Sequence, residues 1–561
     1  MSPITRWLLA VVLPPSFQSI DPQYVGAACG VEGHNWPMPQ LRTAKSQTTE
    51  SASVRLGRRA RGLRRSDIWI VLASVAVAKL TTYRATALVG DPLAWARWGR
   101  ELGAGFLQLD LTHSTTSWKP LPVILASAYS PLGERELMLL MVTARAGAIA
   151  AAILGFRLVY RLWEGMPEGR IHKSGGLVGG LLAATLILWL LLPTSFLGLA
   201  EGLTSALMIA ALERAITDRP GSALTLILLA SLVRPELLIF SGCYGLWLWS
   251  DSRRLRPLIV LGPIAVAALW GIPPLLASSG GLSSFTPFAT SDLMGRSLRD
   301  PRDASFLHLL KLTVDSVPLF AVVLIVIGAL TSMKLWRKGL RSAMVVTGSA
   351  ITATLCFCAL IALVYTSLAH ESGTLRYLLV PQTLWMLVAG IGAAGTVAGL
   401  DRLGTHIRVP QPAVYLLMGV ATALLVVPVG VDAIRKREAQ AQRVESYHRL
   451  MYSDLKHVID QAGGREVILR CLPIAAQTTA RVKVLWLLHT PASSLTDRGG
   501  PLDTASQLPF RLGTTFKLNR VDDGSGKSDP IAPGARLLAR SGAWSIWANC
   551  PPTKLTGSPS S

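Results

Sequence analysis

Residues 343–369 read AMVVTGSAITATLCFCALIALVYTSLA, a run of 27 residues without a charged side chain. A helix of that length reaches about 40 Å, and the hydrocarbon core of a bilayer is about 30 Å thick. Comparable uncharged runs occupy 377–400 and 413–431. Half of the 561 residues are apolar and 16% are charged, which is more apolar than an ordinary soluble domain. The sequence therefore predicts a polytopic membrane protein.

Working outward from this run, the hydropathy pattern predicts an all-α polytopic membrane domain of about eleven transmembrane helices. Two of the predicted spans are too short for a full crossing and meet at a proline. The eleven predicted spans are 67–89, 137–161, 175–193, 198–217, 221–234, 236–250, 256–278, 313–333, 343–369, 376–399 and 411–433.

Three parts of the chain differ in composition. Residues 1–65 are interpreted either as a disordered extension or as the result of a start codon assigned too far upstream. Residues 66–433 are interpreted as the transmembrane domain, and residues 434–561 as a small α/β domain. The last part begins with a helix-like stretch and continues with the strand-like runs REVILRCL, RVKVLWLLH and AWSIWANC. Cys471 and Cys550 lie in this part and could form a disulfide if the domain is outside the cell.

The basic residues predict the orientation. Six arginines lie between Arg55 and Arg65, directly before the first span, and such runs stay on the cytoplasmic side. Threading the chain from a cytoplasmic N-terminus leaves basic residues in excess in the inner loops and sends the C-terminal domain outside. The net charge of +22 is thus explained by loops that orient helices and meet anionic lipid headgroups, and nucleic-acid binding is not expected.

The stretch LLASLVRPELLIF, residues 228–240, places Arg234, Pro235 and Glu236 inside an apolar segment. Proline interrupts a helix, and a break of this kind is tolerated at membrane depth where it lines a wet cavity. A cation at such a place predicts either a ligand site or a structural ion pair, here with Glu236. Two short helices meeting at an outer break are therefore predicted.

Polar residues from distant stretches share the outer side in this threading. Acids mixed with separated cations suit a site that has a general base and a clamp for phosphate oxygens. The candidates are Asp91, Asp110, His113, Lys119, Glu201, Arg234, Glu236, His370, Glu371 and Arg376.

The first outer segment contains two helices that are predicted to lie in the membrane interface, within 92–133. Trp95, Trp98 and Leu102 recur at helical spacing opposite charged residues, a pattern typical of an interfacial helix. The next stretch, SWKPLPVILASAYSPLG, is apolar but short and is interrupted by prolines. Trp118, beside Lys119, belongs either to an interfacial aromatic belt or to a surface that stacks on a sugar.

Several of these motifs, in this order, resemble the GT-C superfamily of membrane glycosyltransferases. The motifs are a Gly-Asp after the first span, Trp-Lys-Pro-Leu-Pro before an apolar helix, Arg145 early in the second span, PTSFLGLAEGLTSALMIAALERA, LASLVRPELLIF and SGTLRYLLVPQTLWML. They cover about 67–400 and are most similar to the protein O-mannosyltransferase and lipid A aminoarabinose transferase branches. The C-terminal domain resembles no family.

The resemblance implies an inverting, polyprenyl-phosphate-sugar dependent enzyme that acts on an extracytoplasmic acceptor, a cell-wall glycan, lipid or protein. It implies that Asp91 is the catalytic base and Glu201 a second acid, while Lys119, Arg234 and Arg376 contact the donor phosphate. Asp91 is followed by Pro92, whereas many relatives have two adjacent acids there. Asp110, His113, Trp118, Glu236, His370 and Glu371 are then candidates for the acceptor site or for supporting positions.

Other interpretations remain open. Asp91 could serve simply as the N-cap of a helix, without a catalytic role. His370 and Glu371 provide too few ligands to define a metal site, so dependence on a divalent metal is undecided. A transporter or lipid flippase for cell-envelope precursors would also gather charges on apolar helices. A non-catalytic scaffold with a wall-binding tail is the third possibility.

Overall fold

The computed structural model describes most of the apolar part of the chain and parts of the C-terminal region. The described residues are 65–81, 90–105, 107, 118–133, 135–164, 169–277, 306–364, 371–406, 435, 439, 452–476, 478–490, 494, 513–518, 534–542 and 544–550. The predicted span at 411–433 and the proposed extension before residue 65 lie outside these ranges.

The described part of 66–433 is helical apart from short turns. Its helices are α1 Arg65–Thr81, α2 Gly90–Gly103, α3 Pro120–Tyr129, α4 Arg135–Glu164, α5 Gly169–Phe196, α6 Glu201–Ile216, α7 Pro220–Ser231, α8 Leu238–Asp251, α9 Arg256–Ala277, α10 Phe306–Asp315, α11 Leu319–Arg337, α12 Ser342–Val364 and α13 Glu371–His406.

Six of the described helices, not eleven, are long and apolar enough to cross a membrane. They comprise residues Arg135–Glu164, Ser174–Phe196, Arg253–Leu276, Leu319–Arg337, Ser342–Ala362 and Arg376–Leu400. The other predicted spans that the structure describes coincide with helices of 12 to 17 residues, and a full crossing needs about 20. The predicted count was wrong because hydropathy marks an apolar segment without showing where its helix ends.

The exposed surface of these helices is apolar. Only 11% of the apolar window of Arg253–Leu276 is buried inside the protein, and 22% of that of Leu319–Arg337. Leu261, Leu276 and Leu319 are among the large side chains left exposed. A soluble protein does not expose apolar surface on this scale, so it is accounted for by contact with lipid. The fold is that of a helical membrane protein.

Glycines allow the central helices to touch through their backbones. A Cβ on Gly392 of α13 would lie 2.0 Å from the carbonyl oxygen of Leu324 in α11, and one on Gly179 of α5 would lie 2.3 Å from that of Gly390. Such contacts are impossible for any larger residue. Helices in lipid gain no hydrophobic stabilisation from packing together, so close contacts between small residues stabilise their association instead. These glycine contacts place α13 at the centre of the bundle.

Helix α2 is buried on both faces, which corrects the prediction of an interfacial helix with an exposed charged side. Trp95 and Trp98 are at most 2% exposed, but Arg97 and Glu101 are also only 5–6% exposed and form an ion pair of 3.6 Å. The charged face is covered because α2 packs against α3, α4 and a helix of the C-terminal region.

The predicted break at Arg-Pro-Glu is confirmed. Helix α7 ends at Ser231, a 3₁₀ turn covers Pro235–Leu237, and α8 starts at Leu238. Arg234 is extended, with φ −137° and ψ 103°, as expected for a residue that precedes proline.

The C-terminal region contains helical residues 452–461 and the elements α14 Gly464–Arg470, β1 Ile474–Ala476, α15 Thr478–Leu488, β2 Gly513–Leu518, β3 Arg536–Ser541 and β4 Trp544–Asn549. The sheet order is β1-β2-β4-β3, parallel between β1 and β2 and antiparallel elsewhere. A disulfide joins Cys471 to Cys550. Two predictions were wrong here, because REVILRCL and RVKVLWLLH form mainly α14 and α15, whereas AWSIWANC contains β4 as predicted.

Helix α15 is apolar enough to resemble a strand because it is buried on two sides. Val484 and Leu488 pack in the core of the C-terminal region, while Val482 and Trp486 pack with Trp95 and Trp98 of α2. A helix covered on both sides has no polar stripe to reveal its period, so composition misled the prediction.

Candidate functional site

Five charged residues from distant parts of the chain meet at one end of the helical bundle. We call them the charged network: Asp91, Lys119, Glu201, Arg234 and Arg376. They come from the start of α2, the residue before α3, the start of α6, the break after α7 and the start of the apolar part of α13. The sequence singled out all five, but only the fold brings them together.

Two guanidinium groups connect the carboxylates of the charged network. Arg376 Nη2 donates to Asp91 Oδ2 at 2.8 Å, and its Nε lies 3.3 Å from Glu201 Oε1. Arg234 Nη2 donates to the same Glu201 oxygen at 2.6 Å. Glu201 and Arg234 are 1–2% exposed and Asp91 is 7% exposed, whereas the Arg376 side chain is 23% exposed. Arg376 is therefore the member through which the network is open to its surroundings.

The local sequence explains why Glu201 is held so deep. A Cβ on the next residue, Gly202, would lie 2.6 Å from the backbone nitrogen of Ala148, and one on Gly147 would lie 2.4 Å from that of Leu203. The two glycines let α4 and α6 cross in backbone contact. Glu201 starts α6 at this crossing, so its carboxylate is fixed against the bundle instead of pointing into solvent.

The break after α7 gives Arg234 its direction. Its backbone nitrogen bonds to the Ala230 carbonyl at 3.0 Å, and its own carbonyl accepts from Leu237 at 3.1 Å. The side chain is then free of the helix and reaches Glu201. Glu236 interacts electrostatically with Arg234, and Glu201 is the residue to which Arg234 donates a hydrogen bond.

Aromatic rings line the cations. The Arg234 guanidinium lies 4.4 Å from the ring centre of Tyr377, and Lys119 Nζ lies 4.9 Å from that of Trp95. Ring faces attract cations, more strongly where water is absent. Tyr377 was not predicted as a site residue, although it follows Arg376 directly in the Arg-Tyr motif. Trp95 was assigned to the membrane interface.

Lys119 is the least compensated member of the charged network. It is 3% exposed, and its Nζ makes no hydrogen bond within the part of the chain that the structure describes. It lies between α2 and α3, outside the six helices that are long enough to span. Burial, with the nearby charges of Arg234 and Arg376, lowers the pKa of Lys119 to about 7, although Glu201 and Asp91 act in the opposite direction.

Trp118 and Arg145 serve the framework around the network. Trp118 Nε1 donates to the Leu269 carbonyl at 3.0 Å, which ties the residue before Lys119 to α9. Arg145 is 3% exposed and donates at 2.5 Å to the carbonyl of Thr81, the last residue of α1. That contact satisfies a carbonyl at a helix end, and the Arg145 guanidinium also lies 4.6 Å from the ring centre of Phe196.

Four of the other predicted candidates cannot be placed. Asp110, His113 and His370 lie outside the described residues, and Glu371 starts α13 but its side chain is not described. Their assignments remain predictions. Among the described residues there is no group of three or more His, Cys, Asp or Glu side chains suited to a metal ion, and the question of a divalent metal stays open.

The C-terminal region reaches the same end of the bundle through Arg100. This residue of α2 donates to Glu136 of α4 at 2.8 Å, and its guanidinium lies 3.5 Å from the ring centre of Trp486 in α15. Trp486 is itself 4% exposed and donates to the Tyr452 hydroxyl at 3.2 Å. No pattern in the sequence predicted this contact, since nothing local relates residue 100 to residue 486.

A second group of charges, the far cluster, lies at the other end of α6. Arg157 bonds to both Asp67 and Glu213, Arg161 bonds to Glu213, and Arg214 bonds to Asp67. Twelve residues separate Glu201 from Glu213, so the two groups lie about 18 Å apart along the helix. The far cluster ties the ends of α1, α4 and α6 together.

The charged network combines the parts that anion chemistry requires. Arg376 and Lys119 offer donors to an anion, Glu201 holds Arg376 in place and is itself paired with Arg234, and Asp91 is a carboxylate at the same position. No protein-family model matches the chain, and no curated protein is similar to it.

Proposed function

We propose that the chain is a membrane glycosyltransferase of the GT-C type that moves a sugar from a polyprenyl-phosphate donor to an extracytoplasmic acceptor. The charged network is the observation that supports this proposal. Its cations suit a lipid-borne phosphate, and its less deeply buried acid, Asp91, lies at the same place. A lipid donor also accounts for a polar site built on apolar helices, because its chain stays in the bilayer while its phosphate reaches the network.

In the proposed reaction the acceptor hydroxyl oxygen attacks the anomeric carbon, and the bond from that carbon to the phosphate oxygen breaks. The electron pair leaves with the phosphate, and the hydroxyl proton goes to Asp91. Arg376 donates to one Asp91 oxygen at 2.8 Å, and that contact competes with an approaching acceptor hydroxyl for the same oxygen. A donor phosphate that binds Arg376 would free this Asp91 oxygen, so contact between Asp91 and the acceptor would follow donor binding.

The orientation of the site is part of the proposal. The Cys471–Cys550 disulfide supports an oxidising compartment for the C-terminal domain. That domain contacts α2, whose first turn contains Asp91, through Trp486 and Arg100. The site is therefore assigned to the extracytoplasmic face, with the chain entering from a cytoplasmic N-terminal side, in the cell membrane of a bacterium with a role in cell-wall biogenesis.

The proposal is tested by transfer of labelled sugar from polyprenyl-phosphate mannose or arabinose in membranes that contain the protein. Asp91→Asn removes the base with little change of shape and is expected to abolish transfer at unchanged protein level. Glu101→Gln is the matched control, because it breaks the buried Arg97 pair on the same helix without touching the network. Equal transfer by wild type and Asp91→Asn would refute the role of Asp91.

An anionic-lipid transporter or flippase is the second candidate, favoured by the far cluster. Charges at both ends of one helix, about 18 Å apart, would suit two binding positions along a path. Proteoliposomes separate the two functions. Passage of labelled polyprenyl phosphate between leaflets without sugar transfer would favour the transporter, and transfer without passage would favour the enzyme.

A further inference from the structure

Lys119 is a buried cation without a hydrogen-bonded partner among the described residues. The Lys119 Nζ makes no hydrogen bond among the described residues, and it lies 4.9 Å from the ring centre of Trp95. The nearby carboxylates are engaged elsewhere, Asp91 with Arg376 and Glu201 with both arginines. An ammonium group in this position is 3% exposed and has no bonded counter-ion in the part of the chain that the structure describes.

The charges that face Lys119 come from every element of the network. Arg234 and Arg376 repel an ammonium group, and Glu201 and Asp91 attract it. Burial adds to the repulsion, since the charged form loses its hydration. The pKa of about 7 is the balance of these effects, more than three units below that of an ordinary lysine. Above neutral pH the side chain is mostly an amine.

An arriving anion reverses this balance. With Lys119 neutral, the carboxylates of Asp91 and Glu201 are balanced by the guanidinium groups of Arg234 and Arg376, so the charged network has no net charge. A phosphodiester monoanion makes it more negative by one unit. A proton on Lys119 restores the earlier value and supplies a donor of hydrogen bonds to the phosphate.

We propose that anion binding to the charged network is coupled to the uptake of one proton by Lys119. The ligand class is a phosphodiester, carried by a lipid or free in water, and this choice of ligand rests on the proposed function. The balance is simple: the amine of Lys119 takes a proton from bulk water as the anion enters, and an ammonium–phosphate pair results. No bond other than the N–H bond is formed.

The coupling sets a pH dependence. Below about pH 7 Lys119 already carries its proton, and affinity is independent of its titration. Above that value each pH unit lowers the protonated fraction of Lys119 about tenfold. The affinity for the anion therefore falls about tenfold per pH unit until the pKa of Lys119 in the bound state is reached. At pH 8 the Lys119 side chain is about 90% amine before an anion binds, so roughly 0.9 proton is taken up per anion bound.

Calorimetry measures this proton directly. The purified full chain in a zwitterionic detergent is titrated at pH 8 in two buffers that differ in ionisation enthalpy. The difference in observed heat divided by the difference in buffer enthalpy gives the protons taken up. Citronellyl methyl phosphate serves as the lipid probe and dimethyl phosphate as the soluble probe, because both remain monoanions throughout the range.

Two substitutions at one position provide the matched controls. Lys119→Arg keeps a permanent charge and is expected to bind the probe with about zero proton uptake. Lys119→Met has no charge to gain and is expected to bind at least tenfold more weakly, also without uptake. Glu101→Gln, which perturbs a buried pair on α2 outside the network, should keep the wild-type uptake of about 0.9.

The outcomes divide cleanly. Uptake near one proton in wild type that is lost in Lys119→Arg supports the coupling, and binding of only the citronellyl ester identifies the lipid as the source. Binding without uptake, undiminished uptake in Lys119→Arg, or no binding of either probe at millimolar concentration overturns it. Proton uptake without sugar transfer would leave the coupling intact and remove the glycosyltransferase proposal. Sugar transfer without proton uptake would remove the coupling and leave the glycosyltransferase proposal intact.

Discussion

Replacing Glu201 with Gln separates the structural and the electrostatic roles of the charged network. The side chain keeps its size but loses the charge that Arg234 approaches at 2.6 Å and Arg376 at 3.3 Å. Breaking a buried ion pair by removing one partner costs about 3–5 kcal/mol, because the other charge is left uncompensated. Glu201 has two partners and is 1% exposed, so the upper part of this range is expected.

The same change should strengthen anion binding. An anion held about 6 Å from the former carboxylate no longer meets its repulsion, which is about 2.8 kcal/mol at an effective dielectric constant of about 20. The affinity for dimethyl phosphate is then expected to rise about 100-fold. A mutation that only damages the fold lowers stability and affinity together, whereas Glu201→Gln is expected to move them in opposite directions.

Thermal unfolding followed by tryptophan fluorescence, with and without dimethyl phosphate, tests both effects in one sample set. Without ligand, Glu201→Gln should unfold at a temperature several degrees lower than wild type. Addition of the ligand should raise the unfolding temperature of Glu201→Gln more than that of wild type. Glu101→Gln loses the buried 3.6 Å pair with Arg97 and should lose stability without any gain in affinity. Weaker anion binding by Glu201→Gln would refute the electrostatic reasoning.

Three further predictions concern other contacts. Gly392→Ala should destabilise the fold by about 1–3 kcal/mol, since its Cβ would lie 2.0 Å from a carbonyl oxygen, whereas Gly399→Ala, with open space around it, should be neutral or slightly stabilising in the same thermal assay. Trp486→Ala should speed hydrogen exchange in α2, because it removes the 3.5 Å contact with Arg100. As a control, Trp249→Ala removes the stack on Arg256 instead and should leave hydrogen exchange in α2 unchanged. Equal effects of the two substitutions would contradict a role of Trp486 in holding α2. Between about pH 7 and 10.4 Lys119 binds fewer protons in the folded protein than in the unfolded chain. The stability of the wild type should therefore rise with pH across this window relative to that of Lys119→Met. Parallel curves of stability against pH for the two proteins would refute the lowered pKa.

The local signals in the sequence were dependable where a residue acts through its own backbone or its nearest neighbours. Pro235 forces the residue before it into an extended conformation, so the break at Arg234 could be predicted from the tripeptide alone. The uncharged run from 343 onward likewise predicted a long apolar helix, and the structure has one at Ser342–Val364.

The predictions failed where burial depends on a distant element. The charged side of α2 was expected to face the membrane surface, but Arg97 and Glu101 are buried by neighbours far away in the chain. Helix α15 was expected to be a strand for the same reason, since contacts on both sides make it apolar all round. Periodicity reports which faces are polar, not what covers them.

The sequence by itself determined that the protein is a helical membrane protein, because hydrophobicity and helix length are properties of consecutive residues. It also supplied the candidate charges, since ionisable groups beside apolar segments are rare enough to stand out. Only the tertiary structure decided that Glu201 is shared by Arg234 and Arg376 and that Trp486 contacts Arg100. It also decided that Lys119 has no bonded counter-ion among the described residues. Those facts depend on helix crossings set by glycine contacts such as Gly147 and Gly202, and packing between distant segments has no local record in the chain.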